Sequence, residues 1–351
     1  MKLLKETLKK ITTVEESYQE AFHRWDNLAI PKGSLGRLEE FAKKIVSITK
    51  NQRPLLKNKV IFTMASDHGV ANLKVSAFPK EVTLQMLYNF SKGGAAINIL
   101  ASQVGARIVV VDMGVEAEVD SKFNICNKKV NYGTKDFTQG RAMSRKEAIL
   151  ALERGIEVFE EEYQKGIDII GTGDMGIGNT TSSSAITAVI TKKSVREVTG
   201  RGTGIDDLTL EKKIAVIEKG IMLNLPDPED GIDLLSKVGG YEIGGIAGVI
   251  LAACARRIPV VIDGFVSTAG ALIAILLKDE VRGYLLAAHS SVERGHKIAL
   301  EKLRLTPIID LNLRLGEGTG AALVIGIIEA SCRLLNEVLT FSEAGVNKSN
   351  L

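Results

Sequence analysis

The chain has 351 residues, of which 45% are hydrophobic and 25% are charged, and its formal net charge is only +3. This composition is that of an ordinary soluble globular protein, long enough for one large domain or two smaller ones. The basic residues are scattered rather than grouped, which excludes the electrostatic footprint of a nucleic-acid-binding protein.

The first 55 residues are predicted to be helical, because apolar positions recur at helical spacing over 3–25 and 35–48, with a break at 31–34. From residue 60 onward, short β-branched runs alternate with longer helical patterns. The predicted strands are 60–65, 107–113, 167–171, 259–263, 283–288 and 307–311. The predicted helices after residue 60 are 81–103, 145–165, 185–191, 208–223, 244–256, 268–278, 291–302 and 323–337.

This alternation predicts an α/β fold with a mostly parallel sheet covered on both faces. The N-terminal helices and the last helix, residues 1–55 and about 323–351, are expected to form a smaller helical domain beside a large domain of residues 56–322. Because parallel strands end at the same edge of a sheet, the loops that follow the strands should converge on one ligand site. These loops are 66–69, 171–179, 263–264, 289–291 and 312–320.

Cysteine usage and apolar runs indicate where the protein resides. Cys126, Cys254 and Cys332 are far apart and form no CxxC pair, which predicts neither a zinc cluster nor a redox dithiol and fits a reducing cytoplasm. The amphipathic start is unlike a secretory leader. The longest apolar runs are shorter than the roughly 20 residues that span a bilayer, so we expect no membrane contact.

The most informative stretch is GTGDMGIGNTT at residues 171–181, directly after a predicted strand. Its glycines allow backbone N–H groups to approach an anion, and the start of the following helix adds a partial positive charge. Asn179, Thr180 and Thr181 are expected to cap that helix. The segment therefore favours a bound phosphate, and the alternative is a tight strand-to-helix turn without a ligand.

A lone acidic residue, Glu317, lies between Gly316 and Gly318 at the entrance to a predicted helix. A carboxylate flanked by glycines is sterically open, which suits a general base. The alternative is a carboxylate that caps the helix. A helix N-terminus would weaken the base, whereas burial beside an apolar ligand would raise its pKa again.

Other candidate ligand groups leave alternatives open. The glycine-rich loop 200–207 is followed by Lys212 and Lys213, and either lysine could close over a phosphate or lie on a solvated helix face. Asp263 ends a predicted strand, where it could bind a ribose hydroxyl or cap the next helix.

Metal and dinucleotide sites are weaker interpretations. His289 and His296 are separated by a predicted strand–helix boundary, and His68 has no evident third ligand, so no metal site is predicted. Residues 171–176 also match the GxGxxG pattern of dinucleotide folds, but two predicted strands precede it, and the expected acid could only be Glu197, outside any predicted strand.

Six motifs together resemble one family, the nicotinate-nucleotide–dimethylbenzimidazole phosphoribosyltransferases. They are PKGSLGRLE at 31–39, SDHG at 66–69, EVTLQ at 81–85, GTGDMGIGNTT at 171–181, GRGTGID at 200–206 and LGEGTGA at 315–321. They occur in the family's order, and the resemblance extends from about residue 10 to residue 345.

The resemblance implies a Rossmann-like, doubly wound large domain, a small helical domain and a homodimer. It implies transfer of phosphoribose from nicotinate mononucleotide to 5,6-dimethylbenzimidazole, with inversion at the anomeric carbon, for the lower ligand of cobalamin. The catalytic residues would be Glu317, as base, and Asp174. Phosphate and nucleotide contacts would come from Gly176, Ile177, Gly178, Asn179, Gly202, Lys213, Asp263 and Ser291. The base pocket would include Gln85, Met175 and Leu315.

Such a reaction needs orientation, one base and a phosphate anchor, so no cofactor and no metal are expected. One position departs from the family pattern, since Asp174 stands where better-known members carry glutamate. A paralogue that uses another azole, purine or phenolic acceptor therefore stays possible. A nicotinamide oxidoreductase and a non-catalytic nucleotide sensor are the alternatives from other classes.

Overall fold

The computed structural model describes residues 1–15 and 19–348. Within them, six strands form one sheet in the order β3-β2-β1-β4-β5-β6, and each pair of neighbours is parallel. The strands are Lys59–Ser66 (β1), Ala106–Gly114 (β2), Cys126–Asn127 (β3), Ile169–Met175 (β4), Val260–Ile262 (β5) and Leu285–Ala287 (β6). The predicted α/β class and the Rossmann-like parallel sheet are confirmed.

Helices cover both faces of this sheet. Several begin at side-chain caps, such as the Ser144–Glu147 capping box and the Asp206 carboxylate, which accepts from the N–H of Thr209. The helices up to β4 are Lys2–Lys10 (α1), Gln19–Trp25 (α2), Arg37–Thr49 (α3), Val82–Ser91 (α4), Ala96–Gln103 (α5) and Arg145–Tyr163 (α6). Those after β4 are Asn179–Thr191 (α7), Val195–Val198 (α8), Asp207–Asn224 (α9), Gly231–Val238 (α10), Tyr241–Ala255 (α11), Phe265–Leu277 (α12), Arg294–Leu303 (α13), Thr319–Glu337 (α14) and Phe341–Ala344 (α15).

The strand order places the ligand edge between β1 and β4. The chain moves outward from β1 through β2 to β3, and then returns to the other side of β1 with β4. In such sheets the connections before and after this reversal leave in opposite directions, which opens a crevice at the carboxyl ends of the two strands. The motif at 66–69 begins with the last residue of β1, and the motif at 171–181 begins within β4 and continues into α7, so both reach this crevice.

Two of the predicted strands are corrected. Residues 307–311 form no strand, because their only ladder contact is a single parallel bridge between His289 and Ile309. Pro307 lacks an N–H group, and the segment continues past the short β6 rather than pairing along it. In the segment predicted at 283–288, the first two residues belong to a 3₁₀ helix, Asp279–Tyr284.

Other elements differ in their length or were not predicted. The predicted helix 81–103 is two helices, since Gly93 adopts a positive φ of 78° and turns the chain between α4 and α5. The two-residue strand β3 and the helix α10 were not predicted. Strand β3 is too short to show a periodic pattern, and α10 lies between glycines and prolines that indicate a loop.

A second, smaller hydrophobic cluster involves α2, α3 and the end of α14. Its buried members include Trp25, Val46 and Leu335. The predicted domain division at residues 55 and 323 stays a prediction, and residues 16–18 and 349–351 of the predicted helical domain lie outside the described part. Helix α1 does not join this smaller cluster, because Leu4 packs in the main core and the helix contacts α6 and α11.

Among the described residues, only α14 is long and apolar enough to cross a membrane. The helix packs on α3, α5 and β4, and 56% of its apolar stretch is buried inside the fold. Length and composition alone do not distinguish a membrane span from a buried core helix. In this fold α14 is a core helix whose N-terminus points to the ligand edge.

Candidate active site

A cavity of about 220 Å³ lies at the carboxyl ends of β4, β5 and β6. Its wall contains the segment from Asp174 to Thr180, the start of α12, and loops around Gly202 and Leu315. The predicted site residues that it brings together are Asp174, Met175, Gly176, Ile177, Gly178, Asn179, Gly202, Ser291 and Leu315. Of the remaining predictions, Gln85, Lys213, Asp263 and Glu317 are not in this wall.

Two helix N-termini face the cavity without side-chain caps. Helix α7 follows Gly178, which adopts a φ of 95°, and α12 follows Gly264, and neither helix has a side-chain cap hydrogen bond. The predicted capping by Asn179 is wrong, because α7 already begins at this residue and its amide donates to Asp174 at 2.9 Å. Uncapped helix N-termini present free N–H groups and partial positive charge, which is the usual form of a phosphate site.

Lys213 supplies a buried positive charge behind this wall. The side chain is 1% exposed, and its Nζ donates to the Thr180 hydroxyl in the first turn of α7 at 2.8 Å. Burial lowers the pKa of Lys213 to about 8, against the attraction of Glu293. Lys212 is exposed, so the structure distinguishes the two lysines that the sequence left as alternatives.

The loop before α14 has an unusual backbone. Gly316, Glu317 and Gly318 have φ values of 84°, 65° and 98°, so three successive residues are left-handed. For the non-glycine Glu317 this conformation is rare, and such strain, of order 1–3 kcal/mol, concentrates at functional sites. Bonds at 2.9 and 3.2 Å hold the Glu317 backbone, one from the Thr63 hydroxyl to its carbonyl and one from its N–H to the carbonyl of Asp174.

The Asp263 carboxylate holds the same loop in place with two hydrogen bonds. Its side chain is fully buried, and its two carboxylate oxygens accept from the N–H groups of Gly318 at 3.1 Å and Ala321 at 3.0 Å. Asp263 therefore caps α14 and not the next helix, α12, which has no side-chain cap. Its assignment as a nucleotide-binding residue stays a prediction.

The Glu317 carboxylate caps a helix other than its own. Its Oε2 accepts from the N–H of Ile97, in the first turn of α5, at 3.3 Å, and the side chain is 4% exposed. Burial raises the pKa of Glu317, while the hydrogen bond from Ile97 lowers it. The predicted alternative, a cap on the following helix, is wrong, because α14 has no side-chain cap. The contact with α5 is compatible with a general base, since burial raises the basicity of the same carboxylate.

Asp174 lies at the end of β4, between this loop and α7. A Cβ on Gly316 would be 3.2 Å from both carboxylate oxygens, so the absence of a side chain there lets the loop approach Asp174 closely. Burial raises the pKa of Asp174 well above its usual value, and the nearby carboxylates of Asp263 and Glu242 raise it further. The hydrogen bond that Asn179 donates to Asp174 lowers this pKa and so opposes the shift.

The comparisons with known proteins agree on one family. A phosphoribosyltransferase family model matches residues 11–346. A nicotinate-nucleotide–dimethylbenzimidazole phosphoribosyltransferase of Roseiflexus sp. (strain RS-1) is 54% identical over 99% of both chains, and one of Geobacter sulfurreducens is 55% identical over 99% of both. The chain belongs to this phosphoribosyltransferase family.

Solved structures show the same fold for this family. The crystal structure of the dimethylbenzimidazole phosphoribosyltransferase from Thermus thermophilus matches with a TM-score of 0.89 and 38% identity, over 94% of this chain and 98% of that one. The resemblance to this family that the six motifs indicated is confirmed.

The remaining predicted residues take different positions in this phosphoribosyltransferase. Gln85 lies on α4 with an exposed side chain. Helix α4 nonetheless supports the site, because the Thr83 hydroxyl accepts from the N–H of Ile177 at 3.2 Å. Leu315 is exposed at the mouth of the cavity, Met175 is half-buried, and the Ser291 hydroxyl accepts from the N–H of Glu293 at 3.3 Å, which leaves its proton free to donate.

Sequence reasoning missed two charged residues in the cavity wall. Arg314 donates to the carbonyl of Gly202 at 3.0 Å and so joins the two glycine-rich loops. Glu293 accepts from the N–H of Gly202 at 2.7 Å, so this N–H is not available to a phosphate. The proximity of Arg314 to a motif glycine was a usable signal, whereas the contact of Glu293 spans 91 residues of sequence and was not.

His68 and His296 hold parts of the scaffold together. His68 bonds the Glu242 carboxylate at 2.8 Å and the Ser182 hydroxyl at 3.2 Å, and all three residues are fully buried beneath the loop at Gly176. His296 bonds the Thr268 hydroxyl and accepts from the N–H of Ser291, and burial lowers its pKa to about 3. No three His, Cys, Asp or Glu side chains of the described residues converge on a possible metal position.

The dinucleotide interpretation is not supported. The GxGxxG segment lies at the end of β4 and not at the first strand, and Glu197 accepts from the N–H and hydroxyl of Ser194 in the capping box of α8. It does not end a strand, where a ribose-binding acid would lie.

Proposed function

We propose that this phosphoribosyltransferase transfers phosphoribose from nicotinate mononucleotide to 5,6-dimethylbenzimidazole, giving α-ribazole 5′-phosphate and nicotinate. The observation that carries this proposal is one cavity bordered by two uncapped helix N-termini and by residues 314–316 of the strained loop, directly before Glu317. The names of its relatives state the same two substrates.

The phosphate of the donor fits the positive side of the cavity. The starts of α7 and α12, which lack side-chain caps, border the cavity, the Lys213 ammonium donates to Thr180 in the first turn of α7, and Ser291 lies in the same wall. A phosphate placed there would receive charge-assisted hydrogen bonds. Its negative charge would also stabilise the Lys213 ammonium, which burial deprives of hydration. This anchor holds the ribose in a fixed orientation for the transfer.

The glycosidic bond of the donor breaks easily, because its pyridinium leaves as a neutral ring and positive charge develops at the anomeric carbon. Asp174, at the end of β4 beside the Glu317 loop, supports this charge in its ionised form. The entering positive charge would lower the pKa of Asp174 and so favour that form. Attack of a benzimidazole nitrogen from the opposite face inverts the anomeric centre.

Glu317 is the base that completes the reaction. As the new bond forms, the other ring nitrogen of the benzimidazole becomes acidic, and the carboxylate accepts its proton. No described residue other than Ile97 hydrogen-bonds to this carboxylate, so one oxygen is free for the acceptor. Met175 and Leu315 provide apolar surface for the acceptor ring in the cavity wall.

We further infer a homodimer in the cytoplasm that uses no bound cofactor and no metal, as in the family pattern. The three cysteines are free, which is compatible with a reducing compartment. Sedimentation of the purified protein tests the dimer.

The decisive test is release of nicotinate that depends on the acceptor. Purified protein is incubated with nicotinate mononucleotide, with and without 5,6-dimethylbenzimidazole, and products are identified by chromatography and mass spectrometry. We expect equal amounts of nicotinate and α-ribazole phosphate only when both substrates are present. Binding of the donor without release of nicotinate under any acceptor would contradict the proposal and favour a nucleotide sensor.

Asp174 makes the choice of acceptor a separate question. Its side chain is one methylene shorter than the glutamate of better-known members, so the transfer could favour a bulkier ring. Competition of 5,6-dimethylbenzimidazole with benzimidazole, adenine and phenol in one mixture measures this preference. We expect dimethylbenzimidazole to give the major product, and a different major product would correct the acceptor while leaving the reaction class intact.

A further inference from the structure

Glu293 is a buried carboxylate in the wall of the cavity that the transfer chemistry above does not use. Its side chain is 6% exposed, and it lies close to Lys213 and Gly202. A carboxylate is an unexpected neighbour for a phosphate, since like charges repel. We therefore expect Glu293 to contact a part of the ligand other than its phosphate.

The position of Glu293 in the chain does not explain it. It is the N-cap residue of α13, where Ser, Thr, Asp and Asn are preferred, and it makes no side-chain cap hydrogen bond. The side chain turns away from its own helix and into the cavity wall. Residues that break a local preference without a local gain are most often functional.

Its two oxygens have different surroundings. Oε1 accepts from the N–H of Gly202 at 2.7 Å and so holds the glycine-rich loop. Oε2 is buried, and no described residue donates a hydrogen bond to it. A buried carboxylate oxygen without a donor is costly, so its retention in the cavity wall requires an explanation.

The chemistry of the donor substrate limits what that partner can be. An ionised carboxylate only accepts hydrogen bonds. Nicotinate mononucleotide has a phosphate that is mainly dianionic at neutral pH, a carboxylate and a pyridinium ring without N–H, so its effective donors are the ribose 2′- and 3′-hydroxyls. The second cavity carboxylate, Asp174, lies beside the Glu317 loop, where the anomeric carbon must react.

We propose that Glu293 is a specificity-determining residue whose Oε2 accepts a hydrogen bond from a ribose hydroxyl of the donor, so that the protein selects ribotides over deoxyribotides. This inference rests on the proposed function, because it places the donor ribotide in the same cavity. The bond from Oε1 to Gly202 fixes the carboxylate in position for this contact. A site built to bind a hydroxyl rejects an analogue that lacks it, because its own polar group is then left unpaired.

The test compares kcat/KM for nicotinate mononucleotide and for its 2′-deoxy and 3′-deoxy analogues in the unaltered protein and in Glu293→Gln. Glutamine keeps a carbonyl oxygen for Gly202 but replaces Oε2 by an amide nitrogen. We expect the unaltered protein to prefer the ribotide over at least one analogue, and Glu293→Gln to lose about 10-fold of that preference. The intrinsic reactivity of each analogue is the same for both proteins and cancels in the ratio.

Glu301→Gln is the matched control, since Glu301 is exposed on the same helix, and its preference should equal that of the unaltered protein. If Glu293→Gln does not fold, Glu293→Asp, which withdraws the carboxylate by one methylene, is compared in the same way with the same expected loss. Preferences that stay unchanged for both analogues overturn the assignment and leave Glu293 as a support for Gly202. Absence of ribotide turnover by the unaltered protein instead rejects the proposed function itself.

Discussion

Replacing Lys213 by methionine should stabilise the free protein and abolish its response to the donor. A charged lysine in a site where its pKa is about 8, instead of 10.5, costs the folded state about 3 kcal/mol at neutral pH. The attraction of Glu293 is already contained in that pKa. Loss of the hydrogen bond to Thr180 offsets about 1 kcal/mol, so Lys213→Met should raise the free energy of unfolding by about 2 kcal/mol.

The assay is thermal unfolding with and without nicotinate mononucleotide, with Lys212→Met as the matched exposed control. A ligand present at 100 times its Kd stabilises the native state by about 2.7 kcal/mol, and Lys213→Met should lose this shift while Lys212→Met keeps it. Between pH 8 and 10.5 the unfolded state of the unaltered protein binds more protons than the folded state, so its stability should rise with pH in this window and that of Lys213→Met should not. A lower melting temperature for Lys213→Met together with a preserved donor shift would refute the reasoning.

Three further changes test the supports of the site. Asp263→Asn leaves one N–H group at the start of α14 without an acceptor and should lower stability by about 1–3 kcal/mol and reduce kcat more than it raises KM. Unchanged kcat in steady-state assays would show that Asp263 does not position the Glu317 loop. Glu242→Ala removes the buried partner of His68 beneath the phosphate loop and should cost at least about 2 kcal/mol by denaturant unfolding, and an unaltered midpoint would contradict this support role. Because burial raises the pKa of Glu317 and the base must be ionised, kcat should fall as pH decreases through a value above 4.5, and Glu317→Gln should lose this acidic limb together with most of the turnover. A pH profile that is the same in Glu317→Gln would exclude Glu317 as the base.

The sheet and most of its helices were predictable because they depend on local patterns. Strand β1 is a mostly apolar run that is buried along its whole length, whereas only the start of β4, Ile169 and Ile170, is such a run, and β4 continues into the glycine-rich motif as far as Met175. The segment 307–311 has the same apolar character but lacks a partner strand along its length, which no local pattern reveals. The break at Gly93 was visible in the sequence as a glycine pair, although the helical spacing on both sides concealed it.

The site was predictable where chemistry and spacing coincide. The motif before α7 identified groups in the cavity wall, and Glu317 between two glycines identified the strained loop that borders the cavity. What remained hidden are contacts across long sequence separations, such as Ile97 with Glu317 and Gly202 with Glu293. Such contacts decide whether a carboxylate caps a helix, holds a loop or faces a ligand, and they depend on packing rather than on local sequence.

A crystal structure of Glu317→Gln with nicotinate mononucleotide and 5,6-dimethylbenzimidazole tests the central claim most directly. We predict the donor phosphate at the N-termini of α7 and α12 within hydrogen-bond distance of Lys213, and a benzimidazole nitrogen within hydrogen-bond distance of residue 317. A ribotide bound in another cavity, or an acceptor whose ring nitrogens both lie far from residue 317, would contradict the account.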